Sequence, residues 1–378
     1  MKPISLTYNE RRIVSSIRSA GMQSRADLAR GLGVTPPTIT RLINKLISLG
    51  LLVEQKDKPD KRKIGYPSKL LRIEPTGLYT AGVFIDPDHI YTCLCDLSGS
   101  IIAQDTLNIS DRSFENIMTL AGHSVAEHVS GSGIDPAKVA GVGVSYPGAQ
   151  LIDSNRVFRI KQFADWPNID VNKDLAPFFE FPVSHMNDAK AAGLAELYYG
   201  ACRTLDSFCL VWLSYGIGGA AVIDHRLYLG SNKDAAEFGG LFPKSQPRPS
   251  GQDLMDSLRN AGMEIRRLSD IGDAQLELPV AQEWMARSTE QLRWLCLMIT
   301  RTFAPQSIVF GGTLPKSMID HFVAEIGQGK SMGEDFEGAL PSVVRATEDG
   351  SPQLGAAALP IYQLFSPSTF SGQATKGR

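Results

Sequence analysis

Residues 24–46 constrain this chain more than any other stretch, because they read Ser-Arg-Ala-Asp-Leu-Ala-Arg-Gly-Leu-Gly-Val-Thr-Pro-Pro-Thr-Ile-Thr-Arg-Leu-Ile-Asn-Lys-Leu, the pattern of a helix-turn-helix. Leu28 and Ala29 belong to a first short helix and Leu32-Gly33-Val34 to the turn. Thr35 followed by Pro36 has the N-cap and first-turn chemistry of a second helix. Ile39, Leu42, Ile43 and Leu46 recur at i, i+3, i+4 and i+7, which buries one face and turns Thr38, Arg41, Asn44 and Lys45 outward. Two amphipathic helices around a glycine turn also occur in proteins that never meet nucleic acid. The flank favours DNA: an extended run at 50–54, a basic turn-rich stretch at 56–65 and a second extended run at 69–73 follow in the order of a winged helix-turn-helix. Thr38, Arg41, Asn44 and Lys45 are therefore the expected groove contacts. Ser24, Arg25 and Thr35 are expected at phosphates near helix N-termini, and Lys61, Arg62 and Lys63 on the wing.

Charge is divided along the chain in the same sense. Residues 1–78 carry 15 Lys+Arg against 6 Asp+Glu, a balance of +9; of the totals of 38 and 40, the other 300 residues carry 23 and 34, a balance of −11. One end is suited to neutralising phosphates and the other to avoiding them. At 378 residues, two or three domains are expected. The five cysteines (Cys93, Cys95, Cys202, Cys209, Cys296) are odd in number and mostly set in apolar runs, so buried free thiols are expected. With no apolar run of transmembrane length and no signal-peptide pattern, the expected setting is cytoplasmic, with no membrane partner.

The organisation expected is α/β. Residues 1–73 form the winged head, 74–78 a linker and 79–365 a bilobed domain, with lobe 1 at about 79–185 plus 354–365 and lobe 2 at about 186–353. Strands are expected at 79–85, 89–97, 101–109 and 139–145, with a helix at 114–129 between the third and fourth. The grammar recurs: a hairpin at 208–214 and 220–224, helices at about 254–268 and 280–303, a strand at 307–310 and a closing helix at 354–365. The tail, 366–378, has the composition of disorder. Met186-Asn187-Asp188 falls where an apolar strand gives way to a helix, the mouth of an α/β cleft. The alternative for Asn187 or Asp188 is simply to cap that helix.

In this order, a winged helix-turn-helix, Asn187-Asp188-Ala189, Gly216-Ile217-Gly218, Glu237-Phe238-Gly239 and Gly311-Gly312-Thr313 resemble the ROK family of repressors and sugar kinases, specifically its regulator branch. The resemblance runs from about Asn9 to Phe365 and implies a ribonuclease H-like, actin-like ATPase fold. By position it implies that Asn187 and Asp188 contact a sugar, that Asp188 matches the base that deprotonates the sugar hydroxyl in kinase members, that Glu237 holds sugar hydroxyls and that Gly148 lies in a turn lining the sugar pocket. Amide and carboxylate pairs suit a polyol, whose hydroxyls both donate and accept.

Two departures from the family bear on activity. Kinase members place Asp-x-Gly-Gly-Thr at the first strand-turn, around ATP phosphates and metal; here the stretch is Phe84-Ile85-Asp86-Pro87-Asp88, with a proline that offers no N–H and two carboxylates that repel a triphosphate. The family's zinc-binding cysteine cluster is also missing, since residues 241–251 contain neither cysteine nor histidine. Nor do the six histidines show ligand spacing, so no metal and no cofactor is expected. Tight backbone turns explain the surviving glycines at 216, 218, 219, 311 and 312 as well as a nucleotide does. The expectation is a non-enzymatic, sugar-responsive regulator, a repressor of carbohydrate genes, bound to a double-stranded DNA operator as a homodimer or homotetramer. Its switch is expected in lobe closure passed through the linker. The rivals are an active sugar kinase and a repressor answering to a protein partner.

Overall fold

A computed structural model describes residues 4–56, 69–148, 161–166, 169–171, 173–327, 341–347 and 352–367. The expected wing residues Lys61, Arg62 and Lys63 lie outside the described residues, as do 368–378 of the expected tail.

The head opens with a helix that the sequence reading passed over, α1 (Tyr8–Ala20). Thr7 and Glu10 form a capping box: the Glu10 amide donates to Thr7 Oγ1 at 3.4 Å and the Thr7 amide to Glu10 Oε2 at 2.8 Å. After β1 (Gln23–Ser24) come α2 (Arg25–Leu32), α3 (Pro36–Ser48), β2 (Leu52–Lys56) and β3 (Lys69–Ile73), with the strands ordered β1-β3-β2. Gly33 ends α2 in the left-handed conformation, and α3 buries Ile39, Leu42, Ile43 and Leu46.

Each lobe is a five-stranded mixed sheet of one plan, three antiparallel strands followed by two parallel ones. Lobe 1 holds β4 (Tyr79–Ile85), β5 (His89–Asp96), β6 (Ile101–Asn108), α4 (Phe114–Gly131), β7 (Val139–Tyr146) and β8 (Val183–Asn187), ordered β6-β5-β4-β7-β8. In lobe 2, α5 (Asp188–Tyr198) precedes β9 (Phe208–Leu213), β10 (Ile217–Ile223) and β11 (Arg226–Tyr228). The helices α6 (Gly251–Asn260), α7 (Asp273–Leu276) and α8 (Pro279–Phe303) follow, then β12 (Ser307–Gly312), α9 (Lys316–Gly327) and β13 (Ser342–Arg345). The order is β11-β10-β9-β12-β13. This is the bilobed architecture expected, with one helix shortened: α6 stops at Asn260 because Gly262 turns the chain at φ +88°, so 261–267 is not helical and only a short 3-10 turn, Leu268–Asp270, follows. All five cysteines are buried free thiols.

The closing helix, α10 (Pro352–Phe365), lies against the lobe 1 sheet and α5. The approach is so close that a Cβ on Gly355 would fall 1.9 Å from the Ala191 carbonyl oxygen. Gly355→Val is expected to force α5 and α10 apart and to lower stability by about 1–3 kcal/mol, read by urea denaturation.

The head is not tethered by a free linker. Residues 75–77 form a 3-10 turn, and the head's apolar core includes Leu78, Leu97, Ile361 and Phe365 of the larger domain. Arg11 donates to the Ser366 carbonyl at 3.2 Å, and Arg18 donates to the Leu97 carbonyl at 3.1 Å while stacking 4.3 Å from the Tyr198 ring centroid. Ser366 is buried and held, so the expected disorder does not begin there.

Candidate functional site

On the head, the expected DNA contacts divide by what already holds them. Arg41 is exposed on α3 and in no ion pair among the described residues. Asn44 is also exposed, and its Oδ1 accepts from Arg25 at 2.9 Å. Arg25 grips Glu54 of β2 at 2.6 Å and reaches the Thr40 carbonyl at 3.4 Å, so it braces α3 against the sheet. Lys45 is exposed but turned toward α1, its Nζ 2.8 Å from the buried Glu10 carboxylate. Burial pushes the Glu10 carboxyl up, but Lys45 and Thr7 outweigh it and hold it below the usual range. Ser24 caps α2, accepting from the Asp27 amide at 3.2 Å. Thr35 is the N-cap of α3, its hydroxyl 3.0 Å from that of Thr38 rather than on a backbone amide.

In the larger domain, Asn187 ends β8 and caps α5: Oδ1 accepts from the amides of Ala189 at 3.0 Å and Lys190 at 3.3 Å. Its Nδ2 donates to the Gly148 carbonyl, which brings two of the four expected sugar contacts together. The cap on α5 and the link to Gly148 therefore come from one side chain. Asp188 is buried at the first position of α5, with Oδ1 accepting from the Ala189 amide at 2.8 Å. Burial raises its carboxyl to about 7, with Glu237 and Asp86 adding to the effect. Glu237 is ion-paired to Lys190, a lysine only 3% exposed. Sequence reasoning missed Lys190, although a lone lysine in the run Ala189-Lys190-Ala191-Ala192 was a signal: that helix is buried on every side. A buried ammonium requires a partner.

Beside this group lies a cavity of about 280 Å³ whose walls include Tyr146, His185, Asn187, Lys190, Glu237 and Gln363. It approaches the range of small-molecule sites, about 300–1,000 Å³. Tyr146 and His185 meet at 3.2 Å, and burial lowers the His185 imidazole to about 4. Gln363, on α10, accepts from Ser184 at 2.9 Å.

The segment without cysteines is held by other means. Arg248 donates to the Gly239 carbonyl at 2.8 Å, and its amide to Asp253 at 3.3 Å. Phe238 and Phe242 enter the lobe 2 core. A Cβ on Gly219 would fall 2.2 Å from the Phe238 ring, so this glycine is required by packing alone. Among the described residues no cluster of His, Cys, Asp or Glu could hold a metal ion, and no helix is long and apolar enough to cross a membrane.

Asp86, in the turn after β4, is 5% exposed and accepts from the Asp88 amide at 2.9 Å. Burial, with the Asp88 charge adding to it, raises its carboxyl to about 7. Asp86 and Asp188 thus both have folded values above their ordinary 3.8, so the folded state holds more protons than the unfolded state between about pH 4 and 7. Their contribution to stability is greatest at the low end of that window and falls as pH rises through about 7; His185, lowered, opposes them only below about 6.5. Thermal melting is expected to fall from pH 6.5 to 8, and Asp86→Asn to flatten the profile. An unchanged slope in that variant would remove Asp86 from the account.

These features define a class: a winged-helix head docked on a two-lobed domain of actin-like ATPase fold. The chain belongs to the ROK family, whose pattern it matches over residues 80–362, and residues 6–64 match the MarR family. It is 31% identical to "Uncharacterized protein y4fQ" of Sinorhizobium fredii, over 98% of this chain and 94% of that protein. It is 25% identical to "Xylose repressor" of Bacillus subtilis, a match spanning 62% of this chain and 60% of the relative's length. In fold it is similar to the crystal structure of "the ROK family transcriptional regulator, homolog of E.coli MLC protein", with a TM-score of 0.68 at 18% identity, over 95% of this chain and 96% of that one.

Proposed function

We propose that this chain is a transcriptional repressor of carbohydrate metabolism or transport genes, whose grip on a double-stranded operator is set by a sugar or sugar derivative bound at Asn187, Asp188, Glu237 and Gly148. The xylose repressor among its relatives supports the sugar. The observation that carries the reading is the placement of two helices. The N-terminus of α5 supplies Asn187, Asp188 and Lys190, and its C-terminus supplies Tyr198, under Arg18 of α1. Along α10, Leu359, Tyr362 and Gln363 line the cavity, Phe365 enters the head's core, and Ser366 just beyond holds Arg11 of α1. A ligand that shifts either helix reaches the head directly, provided that it binds one arrangement more tightly than the other. The head pairs with that of a second copy on a pseudo-palindromic operator in the cytoplasm.

Phosphoryl transfer is not part of this reading, because Asp86, Pro87 and Asp88 offer a triphosphate two carboxylates and one missing N–H. What favours the kinase alternative is Asp188, a buried carboxyl near neutrality beside a cavity. Calorimetry against monosaccharides, sugar phosphates and disaccharides, run beside a labelled-ATP transfer assay, tests both. Binding without transfer is expected. Transfer abolished by Asp188→Asn would make the protein a kinase, and silence toward every sugar would favour a protein partner.

A further inference from the structure

The turn between β4 and β5 places Asp88 of lobe 1, only 2% exposed, against two loops of lobe 2. The hydroxyl of Tyr215, between β9 and β10, lies 2.9 and 3.0 Å from the two Asp88 carboxylate oxygens and donates to them. The same hydroxyl accepts from the Leu268 amide at 3.0 Å, and Ser269 reaches Asp88 Oδ2 with its hydroxyl at 3.3 Å and its amide at 3.5 Å. On the lobe 1 side, Arg112 donates to the Pro87 carbonyl at 3.1 Å and stands 3.7 Å from Asp88 Oδ1. Asp86 fixes the turn through the Asp88 amide. Beside them Gln162 of lobe 1 donates to Gln252 of lobe 2 at 3.0 Å.

A carboxylate this deeply buried is tolerable only where charged or dipolar donors receive it, and hydrogen bonds to an ionised group are the stronger kind. Here the hydroxyl and amide donors come from the opposite lobe. Separating the lobes at this point would strip Asp88 of Tyr215 and Ser269 at one stroke. We propose that Asp88, Tyr215 and Ser269 form an inter-lobe clasp that holds the two lobes together where this turn meets the loops of lobe 2. The clasp is independent of the identity of any effector: it ties the turn of lobe 1 to the lobe 2 loops at Tyr215 and Ser269 and limits how far the lobes separate there.

The test uses the full chain without ligand. Tyr215→Phe keeps the buried ring and removes only the hydroxyl, while Ser269→Ala removes the second donor. Hydrogen exchange at Leu268 and Ser269 is expected to quicken about tenfold or more in Tyr215→Phe, in line with loss of a hydrogen bond to a charged group, and to a smaller degree in Ser269→Ala. The radius of gyration from small-angle scattering is expected to rise in Tyr215→Phe, with exchange in α1 and α4 unchanged. Unaltered exchange in both variants overturns the clasp. So does faster exchange with no increase in radius, because the lobes would then be held by something else.

Discussion

Glu237→Ala is expected to lower the stability of the larger domain by about 3 kcal/mol, the low end of the cost of breaking a buried ion pair, and to remove the response of operator binding to sugar. The low end applies because the Glu237 side chain is 35% exposed, whereas that of Lys190 is 4% exposed and would be left as an unpaired cation in α5. The loss would come from that stranded charge more than from attraction forgone. The double variant Lys190→Met with Glu237→Leu is therefore expected to regain most of the stability while still failing to respond to sugar. Urea midpoints at constant slope measure the first quantity, and operator titrations the second. A loss below about 1 kcal/mol in the single variant would mean that Lys190 finds water or another carboxylate, and the site would need redrawing.

Arg41→Ala should weaken operator binding by about 1–3 kcal/mol and relax preference at a single base pair, as expected when a bidentate base contact is lost. Arg41 is exposed and in no ion pair among the described residues, so nothing within the head has to be broken for it to reach a base. Arg25→Ala should behave differently. Its guanidinium spans Glu54, Asn44 and the Thr40 carbonyl, so its loss should loosen α3 on the sheet and weaken binding to all sequences alike. Fluorescence anisotropy against an operator and its single-base variants separates the two patterns. Equal losses on every sequence for Arg41→Ala would move base recognition to another residue.

Much of this could be read from the chain because it depends on local pattern. The buried face of α3 follows from a spacing of 3.6 residues, and the strands of both lobes from runs bounded by Gly, Pro and Asp. The capping box of Thr7 and Glu10 is equally local, its signal a Thr three residues before a Glu. Helix α9 and strand β13 were missed, and α6 was drawn too long across Gly262. What pattern cannot reach is pairing at a distance. Lys190 and Glu237 are 47 residues apart and Asp88 and Tyr215 are 127 apart, and in each case a polar residue in an apolar setting signals a partner without naming it. The docking of α1 on α10 belongs to the same kind. Leu97, Ile361 and Phe365 read as core of the larger domain, and only the folded chain places them under the head. These contacts add a route through α5 and α10 to the expected one, lobe closure passed through residues 74–77.

We propose that a sugar at Asn187 and Glu237 and the operator at α3 are energetically coupled through those two helices. The most direct measurement is operator affinity of the full chain with and without each sugar that calorimetry shows to bind, repeated in Arg18→Ala, which removes the guanidinium stacked on Tyr198. Sugar is expected to shift operator affinity by about five-fold or more, the usual scale of allosteric coupling, and Arg18→Ala to diminish the shift while leaving sugar affinity intact. A sugar that saturates the site with no change in operator affinity would contradict it.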